Sequence, residues 1–231
     1  MHKRYLEVRR LGRVGYANAL RLQKELEADV IARREQDYLL LLEHPHTFTL
    51  GRRSKNDGVL ATTKMLRTLG VEVFETNRGG KVTYHGVGQI VGYPIVSLSP
   101  DREDVHKYVR DLEEILIRTM ADFGIDAFGI PGLTGVHTTE GKIAAIGVHI
   151  KRWVTTHGFA LNVNTDLSYY NWIIACEGEP VTSMERLLGR EVEMAVVEDR
   201  ITENFRDVFE FRVAPSGERE VVQPANLVET V

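Results

Sequence analysis

Apolar positions along this chain switch between a spacing of three to four and a spacing of two, and the switches divide it into short elements. Tyr16, Ala19, Leu22, Leu26 and Val30 recur at helical spacing and predict a helix over 16–34. Before it, the segment from Tyr5 to Leu11 reads as an edge strand. Tyr38 to Leu42 is a continuous apolar run of buried-strand length, and Phe48 to Leu50 forms a second short strand after His44-Pro45. Val71 to Glu75 alternates, as do parts of Ile90 to Leu98. The strongest helical pattern runs from Asp104 to Gly124, with Val105, Tyr108, Leu112, Ile115, Leu116 and Phe123 as its stripe. Asp104 can cap its start and Gly124 end it. Three strands are predicted around polar turns at 135–138, 143–150 and 155–163. Thr182-x-x-Glu185 reads as a capping box opening a short helix that closes near Gly189. Glu193 to Phe209 is a last amphipathic helix.

Strands and helices intermix without strict alternation and without an internal repeat. That predicts an α+β fold, a mixed β-sheet with flanking helices, in a single domain over 1–213. After Pro215 the chain turns polar and aperiodic, so 214–231 is expected to be a mobile tail.

With 231 residues, 43% of them apolar, the chain can bury a full core. A net charge of −4 argues against a general nucleic-acid binder. The charges are unevenly spread, however. Arg52, Arg53, Lys55, Arg78 and Lys81 cluster in sequence and would form a rim that attracts acidic partners. One cysteine excludes an intrachain disulfide. No apolar run approaches the roughly 18 residues that span a bilayer. The start of the chain carries no signal-peptide pattern. A reducing, soluble, cytoplasmic setting is expected.

The stretch least suited to scaffold is Arg78 to Gln89, R-G-G-K-V-T-Y-H-G-V-G-Q. Its glycines allow positive φ and close approach of backbone to a ligand. Thr83 and Tyr84 look like a short strand between glycine turns, fixing cationic and aromatic groups relative to one another. Neither a dinucleotide fingerprint nor a P-loop fits the spacing. Cys176 follows the apolar Trp172-Ile173-Ile174-Ala175 and precedes Glu177-Gly178, a junction that can present a thiol to a pocket. A thiol of ordinary pKa is only a few per cent thiolate at neutral pH and needs a cationic or basic neighbour to act as nucleophile. By residue type His85, His149, His157, Lys81 and Lys142 all qualify. Lys142 sits where a turn becomes a strand of small residues, Ile143 to Gly147, that would leave space for a ligand. His44-x-His46 lacks further ligands nearby, and no metal is expected.

Taken together, the glycine run, Lys142-Ile-Ala-Ala-Ile-Gly147, His157-Gly-Phe-Ala-Leu-Asn-Val163 and Cys176 resemble the lipoyl(octanoyl) transferase family, in the right order and across Tyr5 to Phe211. The resemblance implies the fold of the lipoate and biotin protein ligases. It implies transfer of an octanoyl group from acyl carrier protein to a lysine of lipoyl domains, those of 2-oxoacid dehydrogenase complexes and the glycine cleavage H protein. By matching position, Cys176 looks like the acyl-accepting nucleophile and Lys142 like the cation that favours its thiolate. Arg78, Gly79, Gly80, Lys81, Val82, Thr83, Tyr84 and His85 would form substrate-binding walls with Ala145, Ile146, Gly147, Gly158, Phe159 and Ala160. An amide is built from a thioester, so no ATP or other cofactor is implied. A monomer without nucleic-acid or membrane partners is expected. This chain departs from the family pattern at Val87, in place of a proline whose loss would loosen its turn. It departs also at Ala175 and Glu177 beside the cysteine, and at His137 in place of a frequent tryptophan. The alternatives are an ATP-dependent lipoate-protein ligase, an octanoyltransferase using another donor protein, and a non-catalytic acyl-binding module.

Overall fold

The computed structural model describes residues 5–33, 36–54, 58–174 and 179–211. Cys176 with its neighbours 175, 177 and 178, Lys55, and the tail predicted for 214–231 lie outside the described residues.

The elements follow the hydrophobic pattern closely. Strand β1 (Tyr5–Arg13), helix α1 (Tyr16–Arg33) and strand β2 (Gln36–Glu43) come first. Strand β3 (Thr47–Leu50), helix α2 (Thr63–Thr68) and strands β4 (Glu72–Glu75), β5 (Val82–His85) and β6 (Gln89–Ile95) follow. Then come helix α3 (Val105–Asp122) and strands β7 (Phe128–Ile130), β8 (Leu133–Thr138), β9 (Gly141–Lys151) and β10 (Val154–Asn162). A 3₁₀ turn (Leu167–Trp172) leads toward helices α4 (Met184–Leu188) and α5 (Met194–Phe209).

Seven strands form one sheet in the order β1-β2-β6-β10-β9-β8-β7, and three form a smaller one, β4-β3-β5. Each holds a single parallel pair, β1 with β2 and β3 with β4, so both sheets are mixed as expected. The apolar run of β2 is continuous because both of its faces are covered. Tyr38, Leu40 and Leu42 meet Ala19, Leu26 and Val30 of α1. Leu39 and Leu41 join Tyr108, Leu112 and Ile115 of α3 and Val197, Ile201 and Phe205 of α5. Asp104 caps α3 as predicted, its side chain accepting the Lys107 N–H at 2.9 Å.

One boundary differs from expectation. Helix α4 is capped by Ser183, whose hydroxyl accepts the Arg186 N–H at 3.2 Å, and not by Thr182. The Thr182 backbone is already committed to β9, donating to the Lys142 carbonyl at 3.0 Å, so the helix begins one residue later. Helix α2, strand β7 and the 3₁₀ turn carry no periodic signal. Helix α2 has no buried residue, and β7 is only three residues long.

Candidate active site

A cleft of about 790 Å³ opens between the glycine loop on one side and β9 and β10 on the other. Its position follows from how that loop is tied down. The turn after β3 grips it, with Arg52 N donating to Arg78 O and Arg53 N to Gly80 O, each at 3.0 Å. From the other side Gly79 N donates to Val148 O of β9 at 2.9 Å. Two glycines make this geometry accessible. Gly80 has φ of 91°, and a Cβ on Gly147 would stand 2.9 Å from the Gly79 carbonyl oxygen.

The structure brings together most of the residues singled out from sequence. Arg78, Gly79, Gly80, Lys81, Val82, Thr83 and His85 line the cleft with Ala145, Ile146, Gly147, Gly158, Phe159, Ala160 and Lys142. Tyr84 does not. Along β5, Thr83 and His85 line the cleft and Tyr84 faces the other way, while Val82, on the Tyr84 face, packs in the small core around Phe48 and also borders the cleft. The Tyr84 ring stacks on Tyr169 at 5.0 Å, within that small core, and its hydroxyl meets His46 Nδ1 at 2.8 Å. Val87 is exposed, and its turn is held through Gly88 instead. Gly88 N donates to Glu43 Oε2 at 2.6 Å, while its carbonyl accepts from Val163 N, Asn164 N and the Thr165 hydroxyl.

Arg78 is buried and fully engaged. Its guanidinium donates to the Thr49 hydroxyl and carbonyl and to Gly79 O. Around it the cleft floor is kept neutral. Burial, reinforced by Arg78, pushes the His157 imidazolium down to about 3 and His85 well below the usual histidine range. Burial raises the Tyr16 phenol to about 12, with Arg78 opposing it. His157 adopts a left-handed φ of 58° within β10, held by Gln23 Oε1 on its N–H at 2.7 Å and Asn77 Oδ1 against Nε2 at 2.8 Å.

Lys142 opens β9 at the other end of the cleft. Its Nζ donates to Thr134 O at 2.7 Å, and its backbone pairs with the chain at 180–182. Beside it His137, the register partner of Lys142, is buried with Nε2 3.3 Å from Glu179 Oε2. Glu179 and Ile174 are the described residues flanking 175–178. Ile174 N is fixed to Gly58 O at 2.8 Å. His44 of the H-x-H pair is structural. Nδ1 donates to Val14 O at 2.6 Å and Nε2 accepts from the Tyr93 hydroxyl at 2.8 Å. No cluster of three or more potential metal ligands occurs among the described residues.

Sequence reasoning missed Thr49, Tyr16, Tyr93, Asn162 and Glu179. Thr49 carried one usable signal, a polar residue alternating with Phe48 and Leu50 in a strand beside the glycine run.

The mixed sheet beside this cleft has the fold of the lipoate and biotin protein ligases. The bipartite lipoate protein ligase of Thermoplasma acidophilum superposes with a TM-score of 0.73 at 16% identity, over 96% of this chain and 88% of that one. The biotin protein ligase of Aquifex aeolicus superposes with a TM-score of 0.53 at 10% identity, over 90% and 69%. Residues 15–206 match the lipoyl protein ligase A/B catalytic domain, and the chain belongs to that family. The chain is 51% identical over 211 residues to an octanoyltransferase of Solibacter usitatus, covering 91% of this chain and 96% of the relative.

Proposed function

We propose that this protein transfers an octanoyl group from acyl carrier protein to a lysine of lipoyl domains, with Cys176 as the acyl acceptor and Lys142 as the proton carrier. The observation that carries the reading is the Lys142 amine at one end of a cleft walled by Ala144, Ala145, Ile146, Phe159 and Ala160. Relatives of high identity named octanoyltransferases support the acyl group. Burying six methylenes is worth about 5 kcal/mol at roughly 0.8 kcal/mol each, enough to hold an eight-carbon chain. Chain connectivity supports the pairing of the two groups. Pro180 O accepts the Lys142 N–H at 2.8 Å, and Cys176 precedes Pro180 by four residues, a length that reaches about 14 Å at most.

In the first half-reaction the Cys176 thiolate attacks the donor thioester carbonyl. The new S–C bond forms, the bond to the carrier's sulfur breaks, and the Lys142 ammonium protonates the departing thiolate. In the second, the acceptor lysine attacks the Cys176 thioester, Lys142 takes its proton, and the amide forms as the Cys176 thiolate leaves. Backbone N–H groups near Cys176 or Lys142 would steady the oxyanion, the Lys142 N–H itself being bound to Pro180 O. Acceptors are the lipoyl domains of 2-oxoacid dehydrogenase complexes and the glycine cleavage H protein. The enzyme works as a cytoplasmic monomer without ATP. No helix among the described residues is long and apolar enough to cross a membrane.

Intact-mass spectrometry tests this reading. Mixed with octanoyl carrier protein, the wild type should gain one octanoyl group and Cys176→Ala none. Lys142→Arg should lose about 10²–10⁴ in turnover, since arginine keeps the charge but cannot release its proton. Pyrophosphate exchange into ATP dependent on octanoate or lipoate, without an adduct, would assign the chain to the ATP-dependent ligases instead.

A further inference from the structure

One peptide group joins Lys142 to a carboxylate on another element. The carbonyl of Thr134 accepts Lys142 Nζ at 2.7 Å, and the N–H on the other side of the same peptide, that of Gly135, donates to Glu113 Oε1 at 2.9 Å. Glu113 lies on α3, half-buried, and makes no ion pair or other hydrogen bond among the described residues. Its second oxygen is turned toward Gly129 of β7.

The lysine stem lies directly over this peptide. Gly135 has φ of 125°, and a Cβ there would stand 2.5 Å from Lys142 Cε and 2.6 Å from Ala144 O. Only glycine lets the stem pack so closely.

We propose that Glu113 is a positioning residue for Lys142, acting through the Thr134–Gly135 peptide. This rests on the proton-carrying role of Lys142 proposed above. A carboxylate on the N–H polarises the peptide and strengthens its carbonyl as acceptor, since hydrogen bonds in a chain reinforce one another. The ammonium gains a fixed docking point and indirect charge compensation. A direct carboxylate contact would compete for its proton, whereas this arrangement occupies one of its three N–H donors and leaves two for the cleft. The other carboxylate nearby, Glu179, is engaged with His137 and makes no ion pair with Lys142 among the described residues.

The test compares Glu113→Gln, which keeps the shape and removes the charge, with wild type by two readouts. Trace labelling with acetic anhydride at fixed pH, read by peptide mass spectrometry against Lys151, should rise at least threefold at Lys142 while Lys151 is unchanged. The kcat for octanoyl transfer should fall at least tenfold with KM for the carrier protein unchanged. A selective rise at Lys142 with normal turnover would keep the contact and overturn the role of Lys142 in the reaction. Unchanged labelling and kcat in the folded variant would overturn the inference. If Glu113→Gln does not fold, Glu113→Asp, whose charge is drawn back by one methylene, should give a smaller rise at Lys142 alone; no selective rise would again overturn it.

Discussion

Arg78 and His85 meet on one hydroxyl, that of Thr49. Arg78 Nε and Nη2 donate to Thr49 Oγ1 at 3.2 and 2.8 Å, and the same oxygen lies 3.3 Å from His85 Nε2. With its lone pairs taken by the guanidinium, the hydroxyl turns its proton to His85. The His85 proton then sits on Nδ1 and donates to Gln89 Oε1 at 3.0 Å. Gln89 Nε2 in turn donates to Tyr84 O at 3.1 Å and Asn162 Oδ1 at 2.9 Å, and Asn162 Nδ2 to Thr182 O at 3.0 Å. A cation that can only donate thus sets the direction of every bond from the glycine loop to the 180–182 segment paired with Lys142.

Thr49→Val should therefore cost more than one hydrogen bond. It removes the hydroxyl that accepts from Nε and Nη2 of a buried guanidinium, leaving Nη2 its bond to the Thr49 carbonyl, and the one group that, among the described residues, meets Nε2 of a buried neutral imidazole. A loss of about 2–4 kcal/mol in urea unfolding is expected, with Thr49→Ser restoring most of it. A loss below about 1 kcal/mol would mean the network does not hold the loop.

Acid should weaken the fold through its buried histidines. Burial pushes His44 down to about 4 and His157 to about 3, and His85 lies well below 6.5. An unfolded histidine titrates near 6.5. Above that pH the imidazoles are neutral in both states and contribute no slope. Between 6.5 and about 4 the unfolded chain binds protons that the native one refuses, so stability falls with pH. Each such group contributes roughly 1 kcal/mol per pH unit. Urea titrations from pH 8 to 4.5 should show a plateau and then this decline, shallower by one proton's worth in His44→Gln. A flat line below pH 6.5 would contradict the neutral burial of these rings.

The elements legible in the sequence were those whose periodicity is driven by burial on the large sheet, such as α1, α3 and β8 to β10. Short elements that bury no side chain fully, such as α2, leave no stripe to read. Within the site, glycines, lysine and histidines in consecutive motifs marked most of the cleft wall. Read as a block, the motif puts Tyr84 in the wall, although two-residue alternation separates it from Thr83 and His85. Which distant residue each site group meets leaves no trace in the sequence, even where, as for Thr49, alternation marks the residue itself. Thr49 lies 29 residues from Arg78, Glu113 22 from Gly135, and Asn162 73 from Gln89.

Acyl-chain length should respond to Gly92. It pairs with Phe159 across β6 and β10, and a Cβ there would stand 2.1 Å from Phe159 Cζ, so alanine must displace the ring. Phe159 lines the cleft, so a ring pushed into it would shorten it. Loss of space for two methylenes, at roughly 0.8 kcal/mol each, predicts that Gly92→Ala shifts preference from octanoyl toward hexanoyl donors by about tenfold. Competition between the two donors measures it. An unchanged ratio in the folded variant would show that this end of the cleft does not measure the chain.

Arg52 and Arg53 stand exposed on the cleft wall beside the glycine loop, and neither makes an ion pair among the described residues. Exposed charges of this kind add little binding energy but steer an oppositely charged partner and are screened by salt. An acidic carrier protein would feel them, whereas a small neutral thioester of N-acetylcysteamine would not. Replacing both with glutamate should lower kcat/KM for octanoyl carrier protein by about tenfold at low salt and leave the small thioester within about twofold. The wild-type rate with the carrier should fall as salt rises. Equal losses with both donors would place the arginines in acyl-chain binding and remove them from partner recognition.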